Sequence, residues 1–138
     1  MANELGAVQC WLDAVNQRDG AALESFSHPE VEIVGPRGAG SMARSVLSEW
    51  LLRAGLSAEA RRWFCGGDGV VVVEQAAVWH DPVSGAEQER RLVGSRFQVR
   101  DGLVASYTRY DSGVSEAVSA AGLDLERDLV TGHGVRVR

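Results

Sequence analysis

The sequence predicts an α+β domain in which helices come first and antiparallel strands follow. Three observations carry this. Val8, Trp11, Leu12 and Val15 fall at i, i+3, i+4 and i+7, the stripe of an amphipathic helix. From Ala58 onward the apolar period becomes two, with glycine-rich turns between the runs. Helices kept apart from strands along a chain indicate α+β layering, not alternating α/β units.

The elements follow in order. The first helix runs from about Glu4 to Gln17, and "RDG" breaks it. Asp19 is placed to cap a second short helix through Phe26, which His28-Pro29 terminates, because proline disfavours an α conformation before it. "VEIVG" reads as a strand and "GPRGAGS" as a flexible turn. Ser41 in that turn is expected to cap a third helix with Val46, Leu47, Trp50 and Leu51 on one side and Gly55 at its end. Strands "EARRWFC", "VVVVEQAAVWH", "QERRLVGSRFQVR" and "LVASYTRYD" come next, and "SEAVSAAGL" reads as a closing helix. These make one domain over 1–122. Residues 123–138 read as a surface arm whose order the sequence leaves open.

At 138 residues the chain has room for one core and not two. A net charge of −5 and a pI near 5.2 argue against nucleic acid or an anionic membrane as partner, since both call for basic patches. The start lacks a basic and then apolar leader, and no run reaches membrane-spanning length, so a cytoplasmic location is expected. Cys10 and Cys65 lack metal-ligand spacing and read as small core residues; no metal and no cofactor are implied. "GAG" at 38–40 and "GGDG" at 66–69 read as turns, not as nucleotide loops.

The turn at Arg100-Asp101-Gly102 decides which side chains share a face. A plain two-residue turn would pair Gln98 with Ala105 and scramble polar with apolar positions. A three-residue turn with Gly102 left-handed pairs Val99 with Leu103, Phe97 with Ala105, Ser95 with Tyr107 and Val93 with Arg109. That register puts Tyr107, Arg109 and Asp111 on the apolar face. In "VVVVEQAAVWH" both faces start apolar. The set with Glu74 and His80 is assigned to the interior. The set with Val71, Val73 and Trp79 is assigned to a partner subunit, since so apolar a patch would otherwise be exposed.

The stretches "AVQCWLDAVNQRDGAALESFSHPEVEIVGP" at 7–36 and "SRFQVRDGLVASYTRYD" at 95–111 resemble the nuclear transport factor 2-like superfamily, in particular its SnoaL-like and ketosteroid-isomerase-like branch. The resemblance spans roughly residues 5–122. It implies a cone-shaped α+β barrel, three helices packed on a strongly curved antiparallel sheet, with a pocket inside and back-to-back homodimers through the sheet. It does not carry isomerase chemistry over. The tyrosine position matches Trp11, the base position falls at Val34 or Gly35, and the strand acid matches Ser95. The late Asp of limonene-epoxide-hydrolase-like members is Arg109 here, and only His80 and Asp111 stand near the His and Asp of cyclase-like members.

The candidate site is therefore built from Glu74, Arg109 and Asp111. Arg109 would anchor an anionic or carbonyl group, with Glu74 or Asp111 as base. The same three residues also fit a structural ion pair, because a buried arginine requires a carboxylate. Trp11, Trp50, Tyr107, His80, Ser95 and Phe97 are expected around the ligand. His80 reads either as a base near the mouth or as a strand-end residue bonded to its turn. The function expected is binding of a small, mostly hydrophobic molecule with one polar group, with or without cofactor-free acid–base catalysis. The alternative is a non-catalytic dimeric assembly domain.

Overall fold

The computed structural model describes residues 3–35 and 38–130. Helix α1 (Asn3–Asn16) forms where the apolar stripe lies and buries Leu5, Val8, Trp11, Leu12 and Val15. Arg18, at φ 57°, turns the chain back. Asp19 then caps α2 (Gly20–Ser25) by accepting the Ala22 N–H at 3.1 Å. Helix α3 (Leu47–Ala54) ends at Gly55 with φ 58°, and a Cβ there would lie 2.1 Å from the His80 carbonyl oxygen. Glycine is needed at that position for both reasons.

Strands β1 (Ser27–Gly35), β2 (Gly38–Ala43), β3 (Leu56–Cys65), β4 (Val70–His80), β5 (Glu87–Arg100), β6 (Leu103–Tyr110) and β7 (Leu129–Val130) form one curved sheet in the order β2-β1-β6-β5-β4-β3-β7. All neighbours are antiparallel except β1 and β6. Helices α1 to α3 pack on the inner face, where Leu12, Leu23 and Leu51 meet Val71, Val73, Phe97 and Tyr107 in the main core. Helix α4 (Val114–Ala120), at the place expected for a closing helix, packs on the opposite face against Phe64 and Val72.

Several expectations change. "GPRGAGS" is not a loop leading into a helix. Gly38–Ala43 is strand β2, paired with β1 from Glu30↔Ala43 to Gly35↔Gly38. Ser41 stands opposite Glu32 in that ladder; α3 begins instead after a 3-10 turn at Arg44–Val46 with no side-chain cap. The assignment of faces in β4 is reversed. Val71 and Val73 lie inside under α1, and Trp79 shares their face, so no partner subunit is needed to cover them. Both faces are apolar because α1 covers one and α4 the other. Cys10 is exposed and not the small core residue expected, whereas Cys65 is half-buried and packs against the main core. The C-terminal arm starts docked, with Leu129 and Val130 paired to Phe64 and Trp63. Residues 131–138 lie outside the described residues.

The β5–β6 hairpin reaches the expected facing by another route. Asp101 and Gly102 both have positive φ, 55° and 77°, which makes a two-residue turn whose twist suits a hairpin. Arg100 pairs with Leu103 and Val99 with Val104; a bulge follows, and Gln98 pairs with Ser106. Ala105 is the extra residue. It restores parity, so that Phe97 opposes Tyr107 and Ser95 opposes Arg109. The expected pairs of Phe97 with Ala105 and Ser95 with Tyr107 do not form. The apolar pattern still won, with the bulge placed in the strand and not in the turn.

The β3 edge that β7 leaves open is closed by side chains from the end of α1. Asn16 takes the Ala58 N–H at 2.8 Å and donates to the Ala58 carbonyl at 2.7 Å, and Arg18 donates to the Leu56 carbonyl at 2.5 Å. An unpaired strand edge invites pairing with another chain, and these groups satisfy its first part, at Leu56 and Ala58. Among the described residues no helix is long and apolar enough to cross a membrane.

Candidate functional site

Because the bulge fixes parity, Tyr107, Arg109, Phe97 and Ser95 point into the cone. Trp11 from α1 and Trp50 from α3 meet them. Trp11 lies 5.6 Å from Phe97, 5.3 Å from Tyr107 and 6.1 Å from Trp50, while Phe97 and Tyr107 are 5.2 Å apart, all between ring centroids. Tilted and edge-on rings at these separations are in contact. The deep half of the cone is therefore filled with aromatic side chains. The grooves of about 470 Å³ beside β3 and about 370 Å³ beside His80 open elsewhere.

The Trp11 indole N–H does not face a ligand. It donates to the Ser27 hydroxyl at 2.9 Å, and that hydroxyl donates to the Leu23 carbonyl at 2.7 Å. A second buried chain runs across the sheet. The Tyr107 hydroxyl hydrogen-bonds Ser95, and Ser95 donates to Gln75 Oε1 at 2.5 Å. Burial pushes the Tyr107 phenol above its ordinary value, against the opposing pull of Arg109 and the Ser95 hydrogen bond. Tyr107 thus keeps its proton and is not a base. Since its folded-state value lies above its unfolded one, the stability linked to that proton is complete below about pH 10 and is lost as pH rises through the folded value. In an alkaline titration followed by phenolate absorbance, wild type should show a late step that Tyr107→Phe lacks, and the variant should keep its melting temperature further into alkali. A phenolate forming at the ordinary value in wild type would contradict the burial of this group.

Towards the mouth, Arg109 lies with its guanidinium carbon 4.7 Å from the Trp79 ring centroid. Its Nε donates to Asp111 Oδ1 at 2.7 Å and its Nη2 to Oδ2 at 3.4 Å. The pair is 20% and 26% exposed, so it borders solvent without being immersed in it. The cation stacked on an indole face and gripped by a carboxylate has a fixed orientation. Nη1 makes no hydrogen bond among the described residues. Trp79, expected at a subunit interface, is the platform for this arginine.

Glu74 does not join them. It stands opposite Gly94 on the outer face, nearly buried, and binds Arg62 through Nε at 2.8 Å and Nη2 at 3.1 Å. The hydrogen bond to Glu74 raises the Arg62 guanidinium further above its usual range. Arg62 reaches this face because the β3 ladder shifts between Ala60 and Arg62, leaving Arg61 as the extra residue. His80 is also on the outer face. Its Nε2 lies 3.2 Å from the Ser57 hydroxyl and its Nδ1 3.3 Å from the Gly85 carbonyl, so it ties the β4–β5 turn together. The structure thus brings together Trp11, Trp50, Ser95, Phe97, Tyr107, Arg109 and Asp111, and separates Glu74 and His80 from them.

Sequence reasoning missed Trp79 and Gln75 as interior groups. Gln75 interrupts Val71, Val73 and Ala77 at the same parity, which is the signal that would have marked it.

No protein-family model and no curated protein matches the sequence. Solved structures do. A nuclear transport factor 2-like protein from Cytophaga hutchinsonii superposes with a TM-score of 0.66 at 13% identity, covering 78% of this chain and 88% of that one. The chain has the nuclear transport factor 2-like fold. TerC co-crystallised with polyporic acid has a TM-score of 0.65 at 20% identity, over 88% of this chain and 97% of that one. The epoxide hydrolase/cyclase-like enzyme SalBIII, with a role in pyran ring formation in the polyether salinomycin, has a TM-score of 0.66 at 17% identity, over 78% and 88%. Within the nuclear transport factor 2-like fold, then, the aromatic plug and the Arg109–Trp79 platform are features of this chain's own residues.

Proposed function

We propose that the mouth of the cone binds a small, largely hydrophobic molecule carrying one anionic or carbonyl group, with Arg109 as its anchor. One observation carries this reading. Arg109 is held by Asp111 and Trp79 and still keeps Nη1 for a further acceptor. Trp79 beneath it and Trp50 against Tyr107, both partly exposed, supply apolar surface on the same side of the sheet. The complex of the similarly folded TerC with polyporic acid supports a ligand of this kind. The groups present favour anion binding and carbonyl polarisation. Proton abstraction would fall to Asp111, whose two carboxylate oxygens both accept from Arg109.

The test is a thermal-shift titration with 2-naphthoate. Wild type should be stabilised, by about 2.7 kcal/mol at a hundredfold excess over Kd. Arg109→Ala should fold and lose that response, whereas Glu74→Gln should keep it. An Arg109→Ala protein that still responds would overturn the reading, and one that unfolds without ligand would make the pair structural.

A second reading rests on the aromatic plug. Rings packed this closely suit a vestigial pocket in a homodimeric assembly domain that meets its copy through the outer sheet face. There Leu92, 53% exposed, pairs with Ala76. Sedimentation showing a dimer, with no ligand response, would favour it.

A further inference from the structure

Gln75 is 1% exposed on the inner face of β4, paired with Val93 on one side and Ala60 on the other. Half of its carboxamide is accounted for, since Oε1 accepts the Ser95 hydroxyl. The other half is not accounted for. Nε2, with two hydrogens to donate, has no hydrogen-bond partner among the described residues. The neighbours on its face, Val73, Ala77, Val93 and Ala60, carry no side-chain acceptor. Rotating the amide would only exchange which half is orphaned. Folded proteins hold few buried polar groups without a partner, and leaving one unpaired is destabilising.

We infer that Gln75 Nε2 is the donor for an oxygen brought in by the ligand, which makes the molecule this site selects bifunctional. This deepens the Arg109 reading and rests on it. The acidic group faces Arg109, and a neutral acceptor such as a ketone, quinone or lactone carbonyl meets Gln75. The two recognition points share the inner face: Arg109 stands opposite Ser95, whose hydroxyl bonds Gln75, and reaches over to the Trp79 ring four residues further along β4. A flat two-ring skeleton bearing an acid at one end and a carbonyl at the other would lie along that face. An apolar acid without the carbonyl leaves the Gln75 amide unpaired and binds more weakly.

Isothermal titration of the full chain with 2-naphthoate and with 6-acetyl-2-naphthoate tests this, using wild type, Gln75→Leu and Arg109→Ala. Wild type should bind the acetyl compound at least about tenfold more tightly. Gln75→Leu should bind the two equally, and Arg109→Ala should lose both. Should Gln75→Leu fail to fold, Gln75→Met, closer in shape, takes its place. Equal affinities in wild type, with both lost in Arg109→Ala, would overturn the Gln75 inference and leave the Arg109 anchor standing. Wild type binding neither compound would overturn the anchor and the inference with it.

Discussion

Replacing Trp11 with alanine should cost the domain about 3–5 kcal/mol and open a cavity that added indole refills. Trp11 is 1% exposed and touches Trp50, Phe97 and Tyr107, so its removal takes away the piece that holds the other rings together. The surrounding framework, a sheet on one side and α1 on the other, can close only part of the gap. The void would be apolar except at Ser27, whose hydroxyl loses the indole N–H but keeps the Leu23 carbonyl. Such a void stays dry and accepts an apolar guest. Urea denaturation should show the loss, and indole should raise the melting temperature of the variant while leaving wild type unchanged. A variant within about 1 kcal/mol of wild type would mean that the deep half of the cone is not closed by these rings.

Gly94→Val should be the second large effect. A Cβ at Gly94 would lie 2.6 Å from the Val114 Cα, 2.8 Å from the Gly113 carbonyl oxygen and 3.0 Å from the Ala117 Cβ. The first two are backbone atoms and cannot swing aside as a side chain would. Helix α4 must lift off the sheet, and it takes Val114, Ala117 and Val118 away from Phe64 and Val72. Overpacking alone costs about 1–3 kcal/mol, and detaching the helix adds exposed apolar surface to that. Hydrogen exchange should show loss of amide protection in 114–120 before the rest of the domain. A variant with normal protection there would mean that α4 is not seated as described.

The features legible in the sequence were those set by local chemistry. The α1 stripe, the Asp19 cap and the Gly55 stop each depend on residues adjacent in the chain. The inward facing of Tyr107 and Arg109 was legible too, because one apolar face had to be kept. The route to it was not, since a bulge at Ala105 and a bulged turn at Gly102 give the same parity. Strand β2 was hidden because glycine, alanine and serine carry no period to read. The facing of β4 was hidden because Val70 to Val73 are apolar in both directions, and what decides it is tertiary: α4 returns from the far end of the chain to cover Val72. That single choice carried Glu74 and His80 to the outer face and Gln75 and Trp79 into the cone. The Arg62–Glu74 pair depends on a bulge at Arg61 that no residue type announces.

The central claim is that ligand chemistry in this domain belongs to the inner face at Arg109 and Trp79. Heteronuclear NMR during titration with 2-naphthoate tests it most directly, by following the Arg109 Nε–H and Trp79 indole N–H signals against those of Arg62 on the outer face. The account predicts saturable shifts at Arg109 and Trp79 with Arg62 unmoved. Shifts confined to Arg62 and the outer face, or no saturable shift at Arg109, would contradict it.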